Sequence, residues 1–335
     1  MNDLNNTPVL QIDDLTVHYV VEKEITEAVN HISLRVDHGK SLGIVGETGA
    51  GKTTTALSIL RLVPDPPGHI VSGKVFVNGR DVYAASKTEL EHIRGNEVAM
   101  IFQDPMTVLN PVFTVGDQIA ECIEIHEKCN HFEAKKRAVE MLETVGISAE
   151  CVNDYPHQFS GGMKQRVVIA IALACAPALL IADEPTTALD VTIQAQVLEL
   201  MKELKERIKT SLVMITHDLG IIAEICDDVA VMYAGRIVEY GKLEDIFRRT
   251  QHPYTEGLFN SLPKIYNRKS ELKPIPGLMP DPTNLPKGCV FAPRCEYATE
   301  RCLQKRPELV QRSKTHSVAC LRYEEADFCI ERNKQ

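Results

Sequence analysis

The sequence lacks any apolar run long enough to cross a bilayer. Its longest such run, VVIAIALACAPALLIA at 167–182, is shorter than the roughly 20 residues that span a membrane, and Pro177 interrupts it. The N-terminus, MNDLNNTPVLQIDD, has neither a basic segment nor an apolar one, so no secretory signal is readable. We therefore expect a chain that begins in the cytosol, in which residues 167–182 form a helix, a break and a buried strand.

An excess of basic residues is also absent. The chain has 37 Lys and Arg against 46 Asp and Glu, a net charge of −9. Because binding to nucleic acid needs a concentrated basic face, this balance excludes nucleic acid from the expected partners. The 335 residues, 44% of them hydrophobic and 25% charged, are typical of a globular protein with one large domain or two smaller ones.

Strand-like and helix-like segments alternate along most of the chain. Residues 9–45 alternate apolar and polar positions before the continuous apolar LGIV at 42–45, which predicts a half-exposed sheet followed by a buried strand. Further strand-like runs are VFV at 75–77, VAMIF at 98–102, LLIAD at 179–183, LVMIT at 212–216 and VAVMYA at 229–234. This alternation predicts an α/β fold with a mainly parallel central sheet.

Two regions depart from this alternation. Between Gln103 and Ser160 no strand-like run appears, while IAECIEIHEK and KKRAVEMLETVG have helical periodicity, so we expect a helical subdomain at about residues 104–165. After about residue 250 the chain becomes rich in Pro, Lys and Gly, which is typical of an irregular linker. We place the main domain at residues 1–262 and a C-terminal extension at residues 263–335.

A glycine-rich motif follows the buried strand LGIV and precedes the helix-like TTALSILRL. In that context a G-x-x-x-x-G-K-[ST] match predicts a P-loop, whose backbone N–H groups surround the phosphates of ATP. Lys52 is expected to reach the β- and γ-phosphates, and Thr53 to bind Mg²⁺. The predicted nucleotide-binding residues of this motif are Gly46, Glu47, Thr48, Gly49, Ala50, Gly51, Lys52, Thr53 and Thr54.

The run LLIADEP at 179–185 is an apolar strand that ends in two carboxylates. Nucleotide chemistry in parallel sheets lies at such strand ends. Asp183 is placed to hold Mg²⁺ through water. Glu184 is placed to orient or deprotonate the attacking water, since phosphoryl transfer depends mostly on positioning and charge stabilisation.

The run FSGGMKQR at 159–166 predicts a second anion site. Ser160 caps a helix, and Gly161 and Gly162 leave several N–H groups unobstructed at its N-terminus. One chain therefore has two separate elements that can face phosphate groups.

With these three motifs in the chain order GETGAGKTT, FSGGMKQR and LLIADEP, the chain resembles the nucleotide-binding subunits of ATP-binding cassette (ABC) transporters over essentially its whole length. The resemblance implies a P-loop NTPase fold with a RecA-like parallel core, an antiparallel β subdomain and an inserted helical subdomain, with ATP and Mg²⁺ as cofactors. It also implies four residue roles. Gln103, in IFQDP, links Mg²⁺ to the helical subdomain; Asp190 is the aspartate of the D-loop; His217 contacts the γ-phosphate; and Tyr19 stacks on adenine.

In this family two cassettes pack head to tail, so that the P-loop of each faces the SGG element of the other. The finer matches TTALDVTIQAQ and HPYTEGLFNSLP resemble the oligopeptide and dipeptide importer branch. That resemblance implies a second ABC ATPase subunit (a paralogue or a copy of this chain), two transmembrane permease subunits and an extracytoplasmic peptide-binding protein. The chain would act peripherally, at the cytoplasmic face of the membrane. The alternatives are the ATPase of a nickel importer and a cassette ATPase without a transporter, serving DNA repair or the ribosome.

Four of the ten cysteines lie near the end of the chain with the spacing C-x5-C-x6-C-x17-C. Clustered thiols in a cytosolic chain indicate a metal site. From spacing alone, zinc and iron–sulfur rank about equally, with free thiols third. The resemblance favours a [4Fe–4S] cluster on Cys289, Cys295, Cys302 and Cys320, because GCVFAPRCEYATERC is similar to the cluster-binding tail of some peptide-importer ATPases. His316 is the nearest alternative ligand, but we interpret it as a surface residue.

Overall fold

Two β-sheets form the framework of the chain, which a computed structural model describes over residues 7–187, 189–262, 273–325 and 327–334. In those ranges no helix is both long and apolar enough to cross a membrane. The strands are β1 (Leu10–Val21), β2 (Glu24–Val36), β3 (Ser41–Val45), β4 (Gly68–Val77), β5 (Arg80–Asp81), β6 (Val98–Ile101), β7 (Leu179–Asp183), β8 (Ser211–Thr216), β9 (Asp228–Tyr233), β10 (Arg236–Lys242), β11 (Val310–Ser313) and β12 (His316–Val318).

Most of the helices connect these strands or belong to one inserted group. They are α1 (Lys52–Ile59), α2 (Lys87–His92), α3 (Pro105–Val108), α4 (Val115–His126), α5 (His131–Thr144), α6 (Gly161–Leu173), α7 (Val191–Ile208), α8 (Leu219–Ile225), α9 (Leu243–Arg248), α10 (Pro253–Asn260) and α11 (Glu300–Gln304). A π-helical turn spans Ile93–Glu97, and 3₁₀ turns span Ala149–Asn153, Pro156–Gln158, Ala292–Arg294, Leu321–Glu324 and Glu331–Lys334.

The central sheet has the strand order β11-β12-β10-β9-β3-β8-β7-β6. Its five strands from β9 to β6 run parallel. Strands β3, β7 and β8 are buried along their whole length, as expected for parallel strands covered on both faces. The predicted α/β fold with a mainly parallel sheet is confirmed.

The second sheet is antiparallel and has the order β2-β1-β4-β5. One sequence prediction is wrong here: VFV at 75–77 belongs to β4, which pairs with β1, and not to the parallel sheet. A short apolar run does not specify which sheet it joins, because its pairing partner lies elsewhere in the chain.

The helices between β6 and β7 pack around a core of their own. The side chains of Ile119 and Ile123 on α4 and of Ala134 and Ala138 on α5 are fully buried in the same cluster as α6. Their spacing of four residues places them on one face of each helix. Within the described residues this segment contains no strand between β6 and β7.

The C-terminal extension joins the central sheet. Its strand β12 pairs antiparallel with β10, and β11 pairs with β12. The predicted boundary between residues 262 and 263 adjoins a segment outside the described residues. Beyond that segment the extension is not wholly irregular, because two of the eight strands of the central sheet, β11 and β12, belong to it.

A buried carboxylate anchors the extension to the main domain. Glu239 on β10 is fully buried and accepts hydrogen bonds from the backbone N–H groups of Gln251 (2.6 Å) and His252 (3.0 Å). Its Oε1 also lies 2.7 Å from Nε2 of His316 on β12, whose side chain is 3% exposed. The interpretation of His316 as a surface residue is therefore wrong, because the pairing of β12 with β10 carries it into the interior.

We predict that Glu239→Ala lowers the free energy of unfolding by about 3 kcal/mol, since it leaves buried donors without their acceptor. Glu244→Ala is the matched control, because Glu244 forms an exposed pair with Arg248 of a kind that contributes little. Urea denaturation of both variants measures the difference. Equal losses in the two variants would contradict the anchoring role of Glu239.

Candidate active site

The P-loop lies between β3 and α1 and is shaped by close backbone approaches. A Cβ atom on Gly46 would lie 2.1 Å from the carbonyl oxygen of Met232, and one on Gly51 would lie 2.3 Å from that of Ala28. Gly51 also has φ +99°, a left-handed conformation, at the N-terminal cap of α1. These positions require glycine, and they leave the first N–H groups of α1 available to an anion.

Lys52 folds back over the P-loop. Its Nζ donates hydrogen bonds to the carbonyl oxygens of Gly46 (2.8 Å) and Glu47 (3.0 Å). Burial lowers the pKa of Lys52, while the negative charges of Glu184, Asp183 and Glu47 act in the opposite direction. The ammonium group is therefore held at the centre of the site, where it can reach phosphate oxygens.

Asp183, at the end of β7, carries a buried carboxylate beside the P-loop. Burial raises its pKa, and a hydrogen bond from Thr53 opposes that shift. Among the described residues, its Oδ1 is buried and has no hydrogen-bond partner. An unpaired buried carboxylate oxygen next to a threonine hydroxyl is a donor set that suits Mg²⁺, so these residues fit the expected metal.

Glu184 is the centre of a hydrogen-bonded cluster. Its Oε2 accepts from Nε2 of Gln103 (3.1 Å) and from the hydroxyl of Thr187 (3.0 Å), and its Oε1 lies 3.1 Å from Nδ1 of His217. Burial acts to raise the pKa of Glu184, but the hydrogen bonds of His217 and Thr187 outweigh it, and the net shift is downward. The carboxylate is thus kept ionised. Its backbone has φ +46°, a strained conformation for a residue with a side chain.

A cavity of about 440 Å³ connects these groups. Of the residues predicted from the sequence, it is lined by Tyr19, Thr48, Gly49, Gly51, Lys52, Thr53, Thr54, Gln103, Glu184 and His217. Gly46, Glu47, Ala50 and Asp183 belong to the adjoining P-loop and strand but do not line it.

Three lining residues were missed by the sequence analysis: Thr26, Ala28 and Pro282. Thr26 pairs with Tyr19 in the antiparallel sheet, which an alternating strand pattern does not reveal. Pro282 comes from the C-terminal extension, and its carbonyl oxygen accepts from the N–H of Glu27 at 2.9 Å. No signal in the sequence relates it to the P-loop.

The second predicted anion site lies apart from this cavity. Ser160 caps α6 and accepts from the N–H of Met163, and the exposed Asp190 caps α7. The two helix starts adjoin each other, since a Cβ on Gly162 would lie 2.5 Å from Ile193. Ser160, Gly161, Gly162 and Asp190 therefore form a separate surface, and none of them lines the cavity of this chain's own P-loop.

The four C-terminal cysteines lie in one small module. The N–H of Cys289 donates to the carbonyl oxygen of Cys302 at 2.8 Å. Burial raises the pKa of Cys295 to about 12, and the neighbouring Cys320, Cys289 and Cys302 add to the shift. Within the described ranges, no three His, Cys, Asp or Glu side chains are arranged closely enough to hold a metal ion.

The parallel sheet, the P-loop and the carboxylates at the end of β7 define an ATPase of the ATP-binding cassette class. The family described as "ABC transporter" matches residues 29–187. A solved cassette dimer, MJ0796 in a post-hydrolysis state bound to ADP and Pi, is 28% identical, with a TM-score of 0.63 over 70% of this chain and 98% of that one. The predicted cassette fold is confirmed.

A second family match and the relatives identify the branch. The family described as "Oligopeptide/dipeptide transporter, C-terminal region" matches residues 238–302. The oligopeptide transport ATP-binding protein OppD of Bacillus subtilis is 50% identical over 93% of this chain and 88% of that protein. The dipeptide transport ATP-binding protein DppD of Escherichia coli is 48% identical over 90% and 92%. The chain belongs to the family of ATP-binding subunits of oligopeptide and dipeptide ABC transporters, as predicted.

We predict that Lys52→Ala weakens ATP binding at least about tenfold, because a charge-assisted contact to phosphate is removed. Lys87→Ala is the control, since Lys87 is an exposed residue of α2. Titration of both variants with a fluorescent ATP analogue measures the difference. Unchanged affinity of the Lys52 variant would contradict the assignment of the P-loop.

Proposed function

We propose that this chain hydrolyses ATP to drive the import of oligopeptides or dipeptides through a membrane complex. The observation that carries the proposal is the cluster of Gln103, Glu184 and His217, which lines the same cavity as Lys52. Phosphoryl transfer to water needs a cation on the phosphates and a carboxylate that orients the water, and this cavity supplies both. The names of OppD and DppD support peptides as the cargo.

The residues are assigned roles according to their positions. The P-loop N–H groups and Lys52 bind the phosphates, and Tyr19, which lines the same cavity, packs against the adenine. Thr53, Asp183 and Gln103 would hold Mg²⁺, which would supply positive charge to neutralise the phosphates. Glu184 orients the attacking water, and His217 fixes Glu184 and reaches the γ-phosphate.

Two cassettes complete each site in this proposal. Ser160, Gly161 and Gly162 lie outside the cavity of their own chain and are available to a nucleotide held by a partner. Val191, which follows the D-loop aspartate Asp190, is 83% exposed, as expected of a residue that a partner covers. The MJ0796 cassette is itself a dimer. The partner is a second ABC ATPase subunit, either a paralogue or a copy of this chain.

The helical subdomain provides the surface for a membrane subunit. Val112 and Phe113 lie in the loop between α3 and α4, and are 71% and 53% exposed. Adjacent exposed apolar side chains mark an interaction site. We assign this surface to a helix of a permease subunit, which places the chain peripherally at the cytoplasmic face of the membrane, in a complex with two permeases and an extracytoplasmic peptide-binding protein. The division into residues 1–262 and 263–335 is part of the same proposal.

We predict that Glu184→Gln retains ATP binding and loses most turnover, because the P-loop contacts remain while the carboxylate that orients water is lost. The variant should accumulate as an ATP-bound dimer. Phosphate release and size-exclusion chromatography with ATP measure the two effects, with Glu199→Gln on the exposed face of α7 as the control. Hydrolysis at the wild-type rate would exclude Glu184 as the catalytic carboxylate.

The cysteine module is proposed to hold a [4Fe–4S] cluster on Cys289, Cys295, Cys302 and Cys320. The four thiols are neighbours, and each of Cys289 and Cys302 acts electrostatically on both Cys295 and Cys320. Four thiolates are the ligand set of a cubane, and a cubane separates its sulfur ligands more widely than a single ion does. Metal binding would deprotonate Cys289, Cys295 and Cys320, whose pKa burial raises, and would contribute to the folding of this small module. Zn²⁺ is the alternative, but a single ion would need the thiols to lie closer together than they do among the described residues.

We predict that anaerobically purified protein is brown and contains about four irons per chain. Cys302→Ser should lose most of the iron and the visible absorbance. Cys226→Ser is the matched control, because Cys226 is an equally buried cysteine outside the module. Iron, acid-labile sulfide and zinc analyses distinguish the outcomes. Stoichiometric zinc with negligible sulfide would contradict the cluster and assign the site to zinc. Folded protein without metal would contradict both the iron–sulfur and the zinc assignments.

A further inference from the structure

An arginine of the C-terminal extension forms an ion pair with the P-loop. Arg294 ends the 3₁₀ turn Ala292–Arg294, immediately before Cys295, and its side chain is buried. Its Nη1 donates to Oε2 of Glu47 at 2.9 Å and to the hydroxyl of Tyr233 at 3.3 Å. Glu47 is the second residue of the P-loop, so this contact joins positions 247 residues apart in the chain.

The other donors of the same guanidinium group are fixed by the extension itself. Nε donates to the carbonyl oxygen of Pro276 at 2.8 Å, and Nη2 donates to that of Ile275 at 3.3 Å. A planar guanidinium with donors on several sides is suited to such a bridge, whereas an ammonium group is not. The position of Arg294 therefore depends on the fold of the extension around it.

Glu47 is held at three points. Its N–H donates to the hydroxyl of Tyr254 at 2.9 Å, its carboxylate pairs with Arg294, and its carbonyl oxygen accepts from Nζ of Lys52 at 3.0 Å. The side chain of Arg294 is 6% exposed and that of Glu47 is 30% exposed, so solvent screens this pair only partly. The extension is thus connected through Glu47 to the lysine of the P-loop.

The charge of Glu47 explains why this connection matters for nucleotide binding. Its carboxylate acts electrostatically on Lys52, the residue that would meet the phosphates of ATP. Without Arg294, that carboxylate would be uncompensated beside a site for a polyanion, and would compete with phosphate for Lys52.

We propose that Arg294 is a positioning residue through which the C-terminal extension holds the P-loop and neutralises Glu47, and so sets the affinity for ATP. This inference rests on the proposed function, since it assumes that the cavity binds ATP. It gives the extension a role in nucleotide binding that is separate from the role proposed for its cysteines.

A double-mutant cycle in the full-length chain tests the proposal. Arg294→Gln is expected to weaken binding of a fluorescent ATP analogue about tenfold, the effect of losing a charge-assisted hydrogen bond. When Glu47→Gln is already present, adding Arg294→Gln should cause little further loss, because no carboxylate remains to be neutralised. Arg294→Lys should recover part of the affinity, and raising the salt concentration should reduce the loss seen in Arg294→Gln.

Arg306→Gln is the matched control. Arg306 donates to the carbonyl oxygens of Pro286 (2.6 Å) and Gly288 (3.4 Å) within the extension, and among the described residues it makes no hydrogen bond to the P-loop. The Arg306→Gln variant should therefore unfold at a lower temperature than the wild-type chain but bind ATP with the same affinity. Thermal unfolding of every variant separates loss of fold from loss of affinity.

Two results would overturn the inference: wild-type affinity in Arg294→Gln, or the same loss of affinity for Arg294→Gln whether or not Glu47→Gln is present. Equal losses of affinity in the Arg294 and Arg306 variants would also overturn it, since the effect would then be structural. Failure of the wild-type chain to bind ATP would instead contradict the proposed function itself.

Discussion

The parallel pairing of four neighbouring strands is the constraint on which the site depends. Strands β6, β7, β8 and β3 are adjacent in the sheet, and the residue runs that follow them begin with Phe102 and Gln103, Glu184, His217 and the P-loop. Because parallel strands all end at the same edge, their carboxyl ends bring together residues that are more than 100 positions apart in the chain. A change of register in β6, β7 or β8 would separate the carboxylate of Glu184 from Gln103 or His217.

The ionisable groups gathered at this edge of the sheet influence one another's protonation. Lys52 and Asp183 are both buried. Burial lowers the pKa of Lys52 and raises the pKa of Asp183, and in each case the charge of the other residue acts against the shift. Glu184 is less buried and is kept ionised by hydrogen bonds from two directions. Three charged groups can therefore coexist in a small volume because each one compensates another.

Much of this arrangement could be predicted from the sequence, because the motifs that carry it are local. GETGAGKTT and LLIADEP specify a loop and a strand end within a few residues each, and the buried strands beside them are recognisable by their continuous apolar runs. What could not be predicted depends on pairing between distant segments. The place of VFV in the antiparallel sheet, the burial of His316 against Glu239, and the contact of Arg294 with Glu47 each require the tertiary structure, because no local pattern states which distant segment a residue will meet.

The hairpin of β11 and β12 has a consequence for the integrity of the central sheet. Strand β10 lies beside β9 on one side, and on the other side β12 occupies hydrogen-bonding groups from Glu239 to Gly241. The outermost strand, β11, is only four residues long, is exposed throughout and includes Arg312, which are features that discourage pairing with another chain. A cassette shortened before this hairpin would present the longer strand β10 as a new sheet edge, with the buried carboxylate of Glu239 beside it. The extension therefore protects the sheet from edge-to-edge association between copies of the chain.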